Sequence, residues 1–203
     1  MGISESILLV TSHKRNCMQQ TTLDDQEILD LMAHPDKVNQ GFTLLVKKYQ
    51  ARLYQQIRRM VQDHDDTDDV LQMVFIKAWK NMDSFRKESK LYTWLCRIAI
   101  NESITFLTNK KKRFFVSTEA VEVKKMGSAN EAPQMNGDYI QQKLVYAMST
   151  LPDKQRAVFN LKYFDEMPYE DISQITGTSV GALKASYHHA VQKIEKYLNA
   201  NNP

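Results

Sequence analysis

The sequence predicts an all-α protein made of two small helical domains joined by a flexible linker. Three observations predict it. The 203 residues include only 6 glycines and 5 prolines, and long stretches carry neither, which favours helices over strands and turns. Apolar residues recur at three- and four-residue steps in one segment after another, the period of a helix with a single buried face. Between residues 110 and 137 that period is lost, and Gly127, Ser128, Asn130, Pro133, Asn136 and Gly137 crowd together in linker composition. With 42% hydrophobic residues, the chain has enough apolar surface for a core on either side.

The elements follow in order. Residues 1–20 lack periodicity and are expected to form a disordered extension. Thr22 is placed to cap a first helix, with Asp24 and Asp25 in the first turn, where the helix dipole favours negative charge; His34-Pro35 ends it. A second helix is expected from Asn39 to Val61, with Phe42, Leu45, Val46, Tyr49, Leu53, Ile57 and Met60 on one face. A third runs from Asp66 to Met82 on the row Val70, Val74, Ala78 and Met82, with Leu71 and Phe75 beside it. A fourth, Leu91 to Asn109, buries Leu91, Trp94, Leu95, Ile98 and Phe106. The first domain is therefore bounded at 21–112, the linker at 113–137 and the second domain at 138–203. Four helices fit the second domain: Tyr139 to Thr150, Asp153 to Tyr163, Tyr169 to Thr176 and Val180 to Leu198.

Charge is segregated more than it is unbalanced. The formal net charge is only +3, but five acids lie between Asp63 and Asp69. From Ile76 to Arg113, ten basic residues face three acids. Such segregation suggests two faces for two partners, the basic one suited to phosphates. Cys17 and Cys96 form no C-x-x-C pair, so neither a disulfide framework nor a metal ribbon is expected, and Cys96 reads as a small core residue. No apolar run approaches the roughly 18 residues that span a bilayer. No cofactor motif appears: there is no Gly-rich phosphate loop, paired-histidine metal motif or nucleophile–base constellation.

The sharpest local signal lies near the C-terminus. Pro168 opens a helix with Glu170 and Asp171 in its first turn, and Gly177 can take the left-handed conformation that ends it. Ser179 can cap the next helix at once. Two short helices across such a turn form a helix-turn-helix, whose second helix enters a major groove. A second signal lies at Phe85, Tyr92 and Trp94, which alternate with Arg86, Lys90 and Arg97. Aromatic faces beside a basic groove suit unpaired bases. Asn101, one turn beyond Arg97, can hydrogen-bond the edge of an extruded base.

These segments resemble a known family. Thr178 to Ala190 (TSVGALKASYHHA) resembles the recognition helix of sigma factor region four, and the preceding LPDKQRAVF from Leu151 resembles the start of that region. Asp65 to Trp79 (DDTDDVLQMVFIKAW) is similar to the polymerase-binding helix of region two. Phe85 to Asn101 (FRKESKLYTWLCRIAIN) is similar to the promoter-melting segment of the extracytoplasmic-function group. The resemblance covers about residues 39–109 and 139–198.

The resemblance implies an alternative sigma factor, not an enzyme, that works in the cytoplasm without a cofactor. It would bind core RNA polymerase through the clamp helices of the largest subunit and the flap of the second largest. It would recognise minus-thirty-five and minus-ten promoter elements, help to melt the DNA and answer to an anti-sigma factor. The residues implied at the melted minus-ten strand are Phe85, Arg86, Ser89, Lys90, Tyr92, Arg97 and Asn101. Those implied at the minus-thirty-five element are Lys184, Ala185, His188 and His189. The polymerase surface implied is Asp66, Asp69, Val70, Gln72, Met73 and Phe75; an acid often follows the glutamine in this family, and Met73 stands there instead. Ser186, His188 and His189 also replace frequent arginines or aromatics. A stand-alone helix-turn-helix regulator is the alternative, but it would need a ligand pocket or a receiver domain, whose strands the pattern does not provide.

Overall fold

The computed structural model describes residues 24–82, 85, 89–117 and 137–200. The expected extension at 1–20, the Thr22 cap, Arg86 and linker residues 118–136 lie outside the described residues. No strand occurs among the described residues.

Helix α1, Asp25–Ala33, starts at Asp24, whose backbone N–H donates to Glu27 Oε2 at 3.4 Å, the reach-back half of a capping box. It lies close against α2, Val38–Val61. The closeness depends on Gly41, where a Cβ would stand 2.5 Å from Met32 Cγ and 3.0 Å from the Ile28 carbonyl. The face expected on α2 is largely inward: Leu45, Tyr49, Leu53, Ile57 and Met60 are buried. Helix α3, His64–Lys80, starts before Asp66 because Asp63 caps it, its Oδ1 accepting the Asp66 N–H at 3.0 Å. That bond holds the Asp63 carboxyl below the usual carboxylate range.

Helix α4, Leu91–Ser117, corrects the expected boundary at Asn109. The basic run 110–113, read as the opening of the linker, continues the helix. Lysine and arginine are good helix formers, and two of these side chains have acidic partners: Lys110 pairs with Asp66, and Lys111 with Asp153 at 2.7 Å.

The C-terminal half holds α5 Gly137–Ser149, α6 Asp153–Phe159, a π-helical turn Asn160–Phe164, α7 Tyr169–Thr176 and α8 Val180–Ala200. Gly177 ends α7 with φ +66, the left-handed conformation expected of it. A small core, Met148, Leu151, Phe159, Ala190 and Ile194, holds α5 and α6 to α8.

The halves are packed against each other. Helix α4 lies against α7, and α2 against α6 and the π-helical turn. The larger core therefore runs from Leu45, Leu53, Leu91 and Leu95 to Ala157, Leu161, Ile172 and Leu183. Each fully buried Leu or Ile contributes roughly 1.5–3 kcal/mol. Buried Arg156 crosses the junction: Nη1 donates to the Met60 carbonyl at 2.6 Å, and Nη2 to the Ser149 and Leu151 carbonyls at 3.2 and 3.3 Å. The Met60 and Ser149 carbonyls lie at helix ends, left without partners inside their own helices, and that of Leu151 lies in the turn between α5 and α6.

Candidate nucleic-acid and polymerase interfaces

Three surfaces carry the residues singled out in the sequence. The first is the outward face of α3. Its inward row, Val70, Val74 and Ala78, is buried. Val70, at 3% exposure, is thus a core residue and not a surface contact as expected. Asp69, Gln72 and Met73 are exposed. Phe75 is half-buried, edge-on to Phe42 at 6.4 Å, and half-buried Asp66 is engaged by Lys110 within the chain. Sequence reasoning missed two exposed apolar residues on this helix, Ile76 and Trp79, 42% and 41% exposed. The signal was available: Asp69, Met73, Ile76 and Lys80 recur at three- and four-residue steps opposite the buried row.

The second surface lies along α4 and the turn before it. Arg97 and Asn101 are exposed one helical turn apart, as expected. Ser89 is half-exposed. Phe85 is half-buried, its ring 5.4 Å from that of Trp94, so it is partly committed to packing. The Lys90 side chain is 78% exposed, with Nζ 3.8 Å from Asp171.

Tyr92 is a correction. It was expected in the basic groove, and it is buried at 8% exposure under the C-terminal half. Its ring stacks on Tyr49 at 5.8 Å, the Arg52 guanidinium lies over it at 3.5 Å, and its hydroxyl points at Asp165, 3.5 Å away. Burial raises its pKa. At the first position after the start of α4, Tyr92 faces the junction, while Arg97 and Asn101 face out.

The third surface is α8. Lys184, Ala185, His188 and His189 are all exposed, and Leu183, Ala190 and Ile194 are buried on the opposite side, as the periodicity predicts. The two histidine rings stand 6.1 Å apart. The Ser179 hydroxyl accepts the Ala182 N–H at 3.5 Å, so the expected cap is present, though long.

Comparison with known proteins places both halves of the chain in one family. Sigma-70 region 2 matches residues 45–113, and sigma-70 region 4 matches residues 141–194. The RNA polymerase sigma-H factor of Pseudomonas aeruginosa is 32% identical over 190 residues, covering 88% of this chain and 95% of its own length. The ECF RNA polymerase sigma-E factor of Escherichia coli is 30% identical over 181 residues, covering 85% of this chain and 93% of its own. The chain belongs to the extracytoplasmic-function group of the sigma-70 family. As a sigma factor it associates with core RNA polymerase and directs promoter-specific initiation of transcription.

Two solved structures share the fold. The sigma factor RpoE from Bartonella quintana, in complex with the anti-sigma factor NepR, superposes with a TM-score of 0.60 at 24% identity over 79% of this chain and 98% of its own. CnrH, in complex with the cytosolic domain of CnrY, gives 0.64 at 21% identity over 88% and 99%. Among the described residues, no helix of this sigma factor is long and apolar enough to cross a membrane.

Proposed function

We propose that the three surfaces divide the work of initiation. The face of α3 with Asp69, Gln72, Met73, Ile76 and Trp79 binds the clamp helices of the largest polymerase subunit. Phe85, Ser89, Lys90, Arg97 and Asn101 hold the melted minus-ten strand. Arg86 belongs with them on the sequence alone. Lys184, Ala185, His188 and His189 on α8 read the minus-thirty-five element. The observation that carries this division is the orientation of α3, α4 and α8: each buries one face, and the other presents Asp69, Gln72, Met73, Ile76 and Trp79 on α3, Arg97 and Asn101 on α4, and Lys184, Ala185, His188 and His189 on α8.

The chemistry differs between the surfaces. The α3 face is mixed apolar and acidic, the composition of a protein interface. The face of α4 offers a guanidinium for phosphate and an amide one turn on, able to donate to and accept from a base edge. That amide acts only on a base that has left the duplex. The protein thus works by binding and not by catalysis, in the cytoplasm where the polymerase and promoter are. An anti-sigma factor is a further partner, supported by the fold neighbour solved with the anti-sigma factor NepR.

The test is Asn101→Ala. Permanganate footprinting of open promoter should show a strongly reduced bubble, while closed-complex formation by mobility shift stays within about twofold. Normal melting by this variant removes Asn101 from the strand-binding surface.

A further inference from the structure

Lys184 is the lysine that α8 offers to the minus-thirty-five element, and a lysine alone is poorly suited to reading a base. Its ammonium is a compact point charge on a flexible four-carbon stem. Free to swing, it settles on phosphates, which run along every sequence, as readily as on the acceptors of one guanine. Selectivity at a base therefore needs something that limits where the ammonium goes.

Helix α8 does not supply that support itself. Side chains on a helix lean towards its N-terminus, over the preceding turn. One turn before Lys184 stand Val180 and Gly181, and a Cβ built at Gly181 meets nothing within 4 Å. The Lys184 stem leans over a position that carries no side chain.

Support comes from the other helix of the pair. Lys184 Nζ lies over the ring of Tyr169, the first residue of α7, at 5.9 Å from its centroid. That ring is fixed from two sides. It is half-buried and packs against the larger core. Lys162 Nζ also lies over it, at 4.9 Å, and Lys162 is tied to the π-helical turn by donating to the Met167 carbonyl at 3.3 Å. A ring holds a cation by its negative face and takes none of the three N–H donors, which stay available for a base. A carboxylate would take those donors and repel DNA. The acid two residues further along α7, Asp171, is directed to Lys90 instead, at 3.8 Å.

We propose that Tyr169 is a positioning residue for promoter recognition: its ring holds the Lys184 ammonium in one place and so turns a phosphate-seeking cation into a reader of one base pair. The proposal rests on the reading of α8 as the minus-thirty-five helix. Tyr169 acts through Lys184, by its ring and not its hydroxyl.

The test measures binding of the holoenzyme, the full chain with core RNA polymerase, to promoters altered one base pair at a time across the minus-thirty-five element. Preference is the ratio of affinities for the best and next-best base at the position that Lys184→Ala relaxes. Tyr169→Leu should lower this ratio about two- to fivefold, the scale of an exposed cation–ring contact. Tyr169→Phe, which keeps the ring, should retain it. In a Lys184→Ala background, Tyr169→Leu should cause no further fall, because the ring then has nothing to hold. An unchanged ratio in Tyr169→Leu overturns the proposal, including the case where every promoter is weakened alike, which marks a merely structural role. So does an equal fall in Tyr169→Phe, or a further fall in the Lys184→Ala background, which gives Tyr169 a DNA contact of its own. If Tyr169→Leu loses helix by circular dichroism, proton NMR of the native chain decides. Lys184 ε-methylene protons shifted upfield of those of exposed Lys196 by the ring current support the platform, and coincident shifts overturn it. If Lys184→Ala relaxes no position, the reading of Lys184 fails and the platform with it. If it relaxes one and Tyr169→Leu does not, only the platform fails.

Discussion

Cys96 and Tyr92 stand four residues apart on α4, both buried. Cys96 sits between apolar neighbours that repeat at helical spacing, so the inward face includes it. Its thiol is 0% exposed, and burial pushes its pKa up to about 12. Because the thiolate is the reacting species, iodoacetamide at pH 8 should leave the Cys96 peptide unmodified in the folded chain and alkylate it in about 6 M guanidinium chloride. Rapid alkylation in native buffer, read by peptide mass mapping, would contradict the burial. The proton also links to stability. The unfolded thiol titrates near 8.5 and the folded one higher, so this contribution is complete below about 8.5 and is lost as pH rises towards 12. Tyr92 escaped the sequence because an aromatic among lysines and arginines looks the same over DNA as under a second domain. Its neighbours Asp165 and Arg52 come from elsewhere in the chain.

Helices were legible wherever one face is apolar and the start is capped. Tyr169–Thr176 has the bounds that Pro168 and Gly177 set. The error at the end of α4 has the opposite cause. A run of lysines carries no apolar period, and its partners Asp66 and Asp153 are remote in sequence. Helix α8 was legible face by face, and that supports a prediction. Lys184 and His188 share the exposed side, with Leu183 buried behind them. Across a panel of altered promoters, Lys184→Ala should relax preference at a single minus-thirty-five position, at roughly 1–3 kcal/mol, as a base-reading side chain does. Uniform weakening of all sequences would make Lys184 a phosphate contact instead. If neither Lys184→Ala nor His188→Ala changes promoter binding, α8 is not the reading helix.

At the scale of the whole chain, the two domains were legible from composition and the contact between them was not. The boundary needs only a lost period and a cluster of Gly, Pro and Asn. The contact depends on Asp153, Asp165 and Asp171 meeting Lys111, Arg59 and Lys90, pairs separated by 42 to 106 residues for the two that also form hydrogen bonds. No sequence period encodes such a meeting. It does predict how a nicked chain behaves. A protease cut between residues 117 and 137 should leave two resistant fragments, since both flanks are helical and packed. Cutting the tether turns an intramolecular contact into a bimolecular one and removes its effective concentration. Exposed pairs such as Lys90–Asp171 weaken as the Debye length shrinks from about 10 Å at 0.1 M salt to about 3 Å at 1 M, whereas the enclosed Arg59–Asp165 pair is screened less. At micromolar concentration the fragments should therefore co-elute in gel filtration near 0.05 M salt and separate near 1 M. Separation at every salt concentration would mean that the tether alone keeps the halves together, and co-elution at 1 M would mean that the apolar contact around Leu161 and Ile172 outweighs the charges.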